Sequence, residues 1–573
     1  ERSAAAARRD FERIRAQSLI DPVRVVRRGD ANENVLPFRS GDGGPVRWAV
    51  EIVSDTGVRL QREGRSRARA RLPADVDDGY HRVLLEIEAQ DGHTRRAEQM
   101  LVRAPQSCVG VAECVRGGRG FGVLANLYSV RNGRSDLGDR RALRALVRGA
   151  GSAGADFVGV NPLSAIRAGG YEVSPYSPTT RLFRSELYLD LAAVPEWGDC
   201  EAARQVAAVV QASDGIDYEK VRDRKLAALR HLYRTFVAAH GAGGTGRGKA
   251  FVEYRQKFGS WLEGFATFRA LDEHFGTARG GTHGWGEWPQ GYRRADSRAT
   301  RRFAHDHADE IAFHGWIQFE IDRQLGRVAE LARRSGLALG VYQDLPIGSV
   351  PSGCEEWLLG EQFCDGATIG APPDAFFAGG QDWGLAPLDP HALRRNGFAY
   401  WIALLRAAFA HAGALRIDHI MGLARQYWVP RGRSARDGAY VRMPADELFG
   451  ILALESRRAG AVVIGEDLGT VPAEIPPLLE RWGVLGSRVL YFERTSAGGF
   501  RSPRTYPARC FVSANTHDLA TLEGYAAGRD IDLNERAGVL DGERATAARK
   551  ARAGETRTLT KNVPVTPLWN PST

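Results

Sequence analysis

The chain has 573 residues, 43% hydrophobic and 26% charged, which suits a soluble globular protein with one large catalytic domain and smaller ones. Its net charge of +9 comes from 78 basic and 69 acidic residues, and the basic ones are almost all Arg. These Arg residues are scattered among acids, with no zinc-finger or RNA-recognition signature, so nucleic acid is not an expected partner. No apolar run approaches the roughly 18 residues of a membrane span, and no signal peptide opens the visible chain. Cys108, Cys114, Cys200, Cys354, Cys364 and Cys510 form no CxxC pair, which favours reduced thiols in a cytoplasm.

Residues 1–20, rich in Ala, Arg and Glu, read as the tail of a helix. Over 21–106, short β-favouring runs such as VRVVRR, VRWAVEIVS and HRVLLEIEA alternate with Gly, Asp and Pro turns, predicting a small antiparallel β-sandwich. From 118 to 530 the texture changes. Seven apolar runs, at 121–130, 155–163, 337–348, 414–423, 461–469, 488–493 and 510–519, are separated by helical stretches. Near-continuous apolar strands with intervening helices predict an α/β parallel sheet, and acids at the strand ends favour a (β/α)8 TIM-type barrel. No GxGxxG follows the first strand, which weakens a dinucleotide-binding reading. An inserted subdomain at 164–336 carries helices at Asp217–His240 and Phe251–Phe275, and an irregular insert rich in Gly, Pro and Trp spans 349–390. Residues 531–573 form a polar, atypical tail.

Three late runs end in acids: Arg416-Ile417-Asp418-His419, Gly465-Glu466-Asp467 and Asn515-Thr516-His517-Asp518. Cleavage of a glycosidic bond with retention needs this set of groups. One carboxylate attacks the anomeric carbon, one donates and recovers a proton, and a third steadies the cationic sugar. Arg416, two residues before Asp418, shares its strand face and would hold it ionised. Glu466 must be protonated at rest, which a less polar setting provides. No Asp-rich calcium loop is present, and no metal or cofactor is expected.

RIDHIMG, VIGEDLGTVP and NTHDLAT resemble the catalytic segments of 4-α-glucanotransferases, glycoside hydrolase family 77. NPLSAI (161–166), SPYSPTTRLFRSELYLDLAAVPE (174–196), VYQDLPIG (341–348), GAPPDAF (370–376) and GQDWGLAPLDP (380–390) are similar to further phrases of that family. The resemblance implies Asp418 as nucleophile, Glu466 as acid/base and Asp518 as transition-state stabiliser, supported by Arg416 and His517. It also implies Asp344 at the sugar of the reacting subsite, Tyr176 near the donor subsites and Trp383 on the acceptor side, with Gln381 in the same phrase and His419 among the substrate-binding residues. Malto-oligosaccharides and starch- or glycogen-derived glucans are the implied substrates, with 375–390 a candidate loop over the site. Hydrolysis by the same carboxylates, and glucan binding without turnover, are the rival readings. The family continues for well over a hundred residues past the His-Asp pair and there supplies an eighth strand. Here 55 residues follow Asp518. An incomplete barrel with exposed edges is therefore expected, along with reduced stability or replacement of the missing strand by another segment.

Overall fold

Val46–Ser54 buries Val46, Trp48, Val50 and Ile52 and turns the residues between them outward. That is the period of a half-buried strand. The computed structural model describes residues 18–562, apart from 42–43, 90–91, 132–136, 168–172, 209–214, 280–283, 375–376 and 497. The expected helical tail therefore falls almost wholly outside the described residues, as do the last eleven residues of the chain.

The described chain divides into two compact units. One holds the residues up to Val463 plus Arg481–Gly483, and the other holds Ile464–Glu480 and the residues from Val484 onward. The first unit opens with a five-stranded sheet in the order Val23–Arg27, Thr94–Ala104, Gly79–Glu88, Val46–Ser54, Arg59–Ser66. The pairings are antiparallel except that Val23–Arg27 joins Thr94–Ala104 in parallel, so the sheet is mixed rather than purely antiparallel. A two-stranded piece, Val35–Pro37 with Arg69–Arg71, contributes Leu36 and Ala70 to the same core as Val50, Val83 and Leu85.

A second sheet in the first unit is parallel. Gly122–Ala125, Phe157–Val160, Gly340–Leu345 and Ala414–Ile417 follow one another in chain order, and Val462–Gly465, which crosses the boundary between the units, comes next. Strands in sequence order with helical connections give an α/β layer arrangement. Arg140–Ser152 shows why such a helix forms. Asp139 caps it by accepting from the backbone N–H groups of Arg141 and Ala142. Leu143, Val147 and Ala150, spaced along one face, bury against Val158, Leu325, Val328 and Val341. At the other side of the sheet Gly122–Ala125 is an edge among the described strands, with Phe121, Val123 and Leu124 exposed.

The inserted segment is helical, with Tyr218–His240, Gly246–Arg279 and Ala308–Arg334 as its long elements. The 349–390 segment is more regular than its Gly- and Pro-rich sequence suggests. It contains the helix Cys354–Leu359 and two strands, Ala367–Ala371 and Gln381–Leu385. Those strands join Arg425–Pro430 and Ala439–Arg442 in a four-stranded antiparallel sheet. The second unit holds the end of Val462–Gly465, whose Ile464 bridges Leu485 in parallel. It also holds the parallel pair Gly486–Val489 and Cys510–Ser513. Val489, Tyr491 and Tyr525 form its small core, and the helices Arg529–Arg536 and Gly542–Asn562 follow. All six cysteines are free, and no described helix is long and apolar enough to cross a membrane.

Candidate active site

The first unit gathers seven of the ten expected site residues. Asp344 lies on Gly340–Leu345 directly opposite Arg416 on Ala414–Ile417, so their side chains share a face. The guanidinium Nη1 of Arg416 donates to both oxygens of Asp344, at 2.7 and 2.9 Å. Its Nη2 lies 2.9 Å from Oδ1 of Asp418. The Asp418 backbone N–H donates to the Leu345 carbonyl at 3.0 Å, which extends the strand pairing by one residue and fixes where the carboxylate starts. Tyr176 donates its hydroxyl to Oδ2 of Asp344 at 2.6 Å. One guanidinium thus serves two carboxylates, and a phenol completes the shell of the deeper one.

The electrostatics follow from depth. Burial pushes the Asp344 carboxyl up, with Arg416 opposing and Asp418 adding. Burial also opposes charge on Arg416, but Asp344 and Asp418 outweigh it and hold the guanidinium well above its ordinary pKa. Tyr176 is raised by burial first and by the Asp344 charge second, so its proton stays on the phenol. His419 is held low by burial, against the pull of Asp418, and is neutral at physiological pH. It occupies the left-handed region, with φ 48°, which an L side chain adopts at a cost of about 1–2 kcal/mol. Such strain concentrates at sites where neighbouring structure over-determines the backbone. The ring of Trp383 meets His419 edge-on at 5.1 Å between centroids, and the Trp383 indole N–H donates to Oε1 of Gln381 at 3.2 Å.

Loss of the Tyr176 hydroxyl removes one hydrogen bond to a charged acceptor, about 1.5–3 kcal/mol. Tyr176→Phe is therefore expected to lower kcat/KM on maltotriose about tenfold or more with an unchanged far-ultraviolet circular dichroism spectrum. A variant as active as the parent would remove Tyr176 from the site.

The second unit carries the other three residues. Glu466 follows the strand Val462–Gly465, and its Oε1 accepts from the Leu468 backbone N–H at 2.9 Å. His517 and Asp518 follow Cys510–Ser513, with Nε2 of His517 3.0 Å from Oδ1 of Asp518. Both residues are exposed, the Asp518 side chain more so than that of His517.

The family model for 4-alpha-glucanotransferase matches residues 125–564, and a model for the MalQ N-terminal beta sandwich domain matches 19–105. The first match covers more than three quarters of the chain and contains all ten expected site residues. The chain belongs to the 4-alpha-glucanotransferase family. The 4-alpha-glucanotransferase of Mycobacterium tuberculosis (strain H37Rv) is 37% identical over 502 residues, 84% of this chain and 67% of that protein. That of Haemophilus influenzae is 36% identical over 437 residues, 74% of this chain and 62% of that protein. The chain thus spans about two thirds of the length of these curated relatives. Among solved structures, amylomaltase from Corynebacterium glutamicum superposes with a TM-score of 0.83 at 30% identity, covering 97% of this chain and 78% of that one.

Sequence reading of this 4-alpha-glucanotransferase family member passed over two features. One is a buried network behind Asp344. The Arg181 guanidinium donates to the carbonyls of Pro346 (3.3 Å) and Ile347 (2.7 Å), to the Tyr400 hydroxyl (2.7 Å) and to Glu355. Glu355 in turn accepts from Ser349 and Tyr400. This fully satisfied ion pair fastens the loop that leaves the Asp344 strand. Its only sequence signal was Arg181 standing inside an apolar phrase. The other is Asp467, beside Glu466. It accepts from the Ser487 backbone N–H at 2.6 Å and from Arg488, and burial raises its carboxyl despite both.

Proposed function

We propose that this chain transfers α-1,4-glucan segments between malto-oligosaccharides by retaining double displacement. The observation that carries the proposal is the Arg416 guanidinium bridging Asp344 and Asp418, inside a chain of this family. In the first half-reaction Asp418 attacks the anomeric carbon, and Glu466, protonated, gives its proton to the departing glycosidic oxygen. The bond to the leaving glucan breaks as the glycosyl–Asp418 ester forms. In the second, the 4-hydroxyl of another glucan attacks the ester carbon while Glu466 takes the hydroxyl proton, and Asp418 leaves as carboxylate. Asp518, steadied by His517, stabilises the cationic sugar between the two steps.

Asp344 is assigned to the sugar in the reacting subsite, Tyr176 to the donor side and Trp383 to the acceptor side, with Gln381 and His419 as further substrate-binding residues. An aromatic face suits the apolar face of a glucose ring. The proposal includes a (β/α)8 barrel as the scaffold, with the strand-end acids at its catalytic face. It also includes a cytoplasmic setting, which the six free cysteines support. Incubation with maltotriose, followed by separation by chain length, tests the function. Glucose together with maltopentaose and longer oligomers is the expected result. Glucose and maltose alone would mean hydrolysis, and unchanged maltotriose would mean binding without turnover.

A further inference from the structure

Trp383 has a counterpart two strands away. The sequence Gln-x-Trp occurs at Gln381-Asp382-Trp383 and again at Gln426-Tyr427-Trp428. In both, the indole N–H donates to the glutamine Oε1 two residues earlier, at 3.2 Å. The strands that carry them flank Ala367–Ala371 in the four-stranded antiparallel sheet. Ala371 pairs with Gln381, and Ile369 pairs with Trp428. Paired residues share a face, and so do residues i and i+2. Gln381, Trp383, Gln426 and Trp428 therefore all project from one side of the sheet. The bulge near Trp383 inserts two extra residues, so it keeps this alternation.

Both indoles are half-buried. Trp383 meets the ring of His419, which is the residue after Asp418. Trp428 has no ring or cation stacked on it among the described residues, whereas Arg425 and Tyr427 on the opposite side both engage Tyr440. Gln426 is itself buried, so its hydrogen bond fixes the tilt of the Trp428 ring. Ile369, buried, is paired with Trp428 on one side and with Leu385 on the other.

We propose that Trp428, oriented by Gln426, is a second stacking platform for the acceptor glucan, one step further from Asp418 than Trp383. The proposal rests on the transferase reading above. Two strand spacings separate the platforms by roughly 10 Å, more than one pyranose ring spans. Trp428 therefore serves only acceptors of two or more linked glucose units, and a single glucose engages Trp383 alone. This makes Trp428 a residue that sets acceptor-length preference while leaving the bond-breaking step untouched.

The test uses α-maltosyl fluoride as donor and compares glucose with maltotriose as acceptor, following the transfer products by chromatography. In Trp428→Ala, kcat/KM for maltotriose should fall about tenfold, while glucose is used as in the parent. Trp428→Phe, which keeps a π face, should restore most of the loss. Trp428→Leu, which keeps bulk without that face, should not, and it replaces the Ala variant if that one fails to fold. Equal losses with both acceptors, or none with either, overturn the platform. Should the parent protein transfer to neither acceptor, the transferase reading itself fails.

Discussion

Asp418→Ala is expected to abolish transfer from maltotriose, with kcat falling about 10⁴-fold or more, and so is Glu466→Ala. The two losses are told apart by chemical rescue with azide and α-maltosyl fluoride, a donor whose leaving group needs no acid. Without Asp418, azide must displace fluoride directly, and one displacement inverts the anomeric carbon to give the β-azide. Without Glu466, Asp418 still forms the glycosyl ester and azide then displaces it. Two inversions give the α-azide. The physical basis is the setting of Asp418, a carboxylate 2.9 Å from a guanidinium whose own pKa its two acidic partners hold well above the ordinary range. An α-azide from Asp418→Ala would move the nucleophile to another residue.

Each of the seven apolar runs holds or overlaps a strand, and in Phe157–Val160 and Val462–Gly465 every residue is buried, because a strand covered on both faces has to be apolar throughout. The sixth shows where that logic stops. The run at 488–493 predicts a strand over Arg488–Glu493, but the strand is Gly486–Val489, and Leu490–Phe492 turn away. Two small residues, Gly486 and Ser487, start it. A Cβ on Gly486 would lie 2.9 Å from Asp467, and the Ser487 N–H donates to that same carboxylate. A buried carboxylate from a distant part of the chain chose this register, and local hydropathy has no access to that.

The sheet containing Trp383 was hidden for a related reason. Ala367–Ala371 and Gln381–Leu385 are five-residue strands broken by Gly, with a bulge between Ile369 and Gly370. Ala367–Ala371 is stabilised by pairing with Arg425–Pro430, far along the chain, and Gln381–Leu385 in turn pairs with Ala367–Ala371. The Arg416–Asp418 contact was legible because strand periodicity puts residues i and i+2 on one face. The Asp344–Arg416 bidentate pair joins two strands, and only the observed register, Asp344 opposite Arg416, reveals it.

That pair makes the second large prediction. Arg416→Met leaves two carboxylates, Asp344 and Asp418, facing one another's charge without the cation between them. Arg416 makes its contacts with a side chain only 13% exposed. Stripping one partner from such a buried cluster costs about 3–5 kcal/mol, and turnover should fall about 10²–10³-fold as Asp418 loses its orientation and charge support. The pH dependence has a definite sign. Burial already raises Asp344, and Arg416 is the chief influence lowering it, so its removal raises the folded-state pKa further. The folded variant then binds more protons than the unfolded chain between the ordinary carboxylate pKa and this raised value. Its stability therefore falls as pH rises through that window and is lowest above it. Thermal melts of parent and variant from pH ~4 to ~8 should show a gap in midpoint that is small at the acid end and widens toward neutrality. Arg416→Lys should recover more of the stability than of kcat, because an ammonium restores the charge but cannot reach Asp344 bidentately and Asp418 at once. A gap that stays constant across pH would mean that Arg416 acts by packing alone and that the two carboxylates do not share its charge.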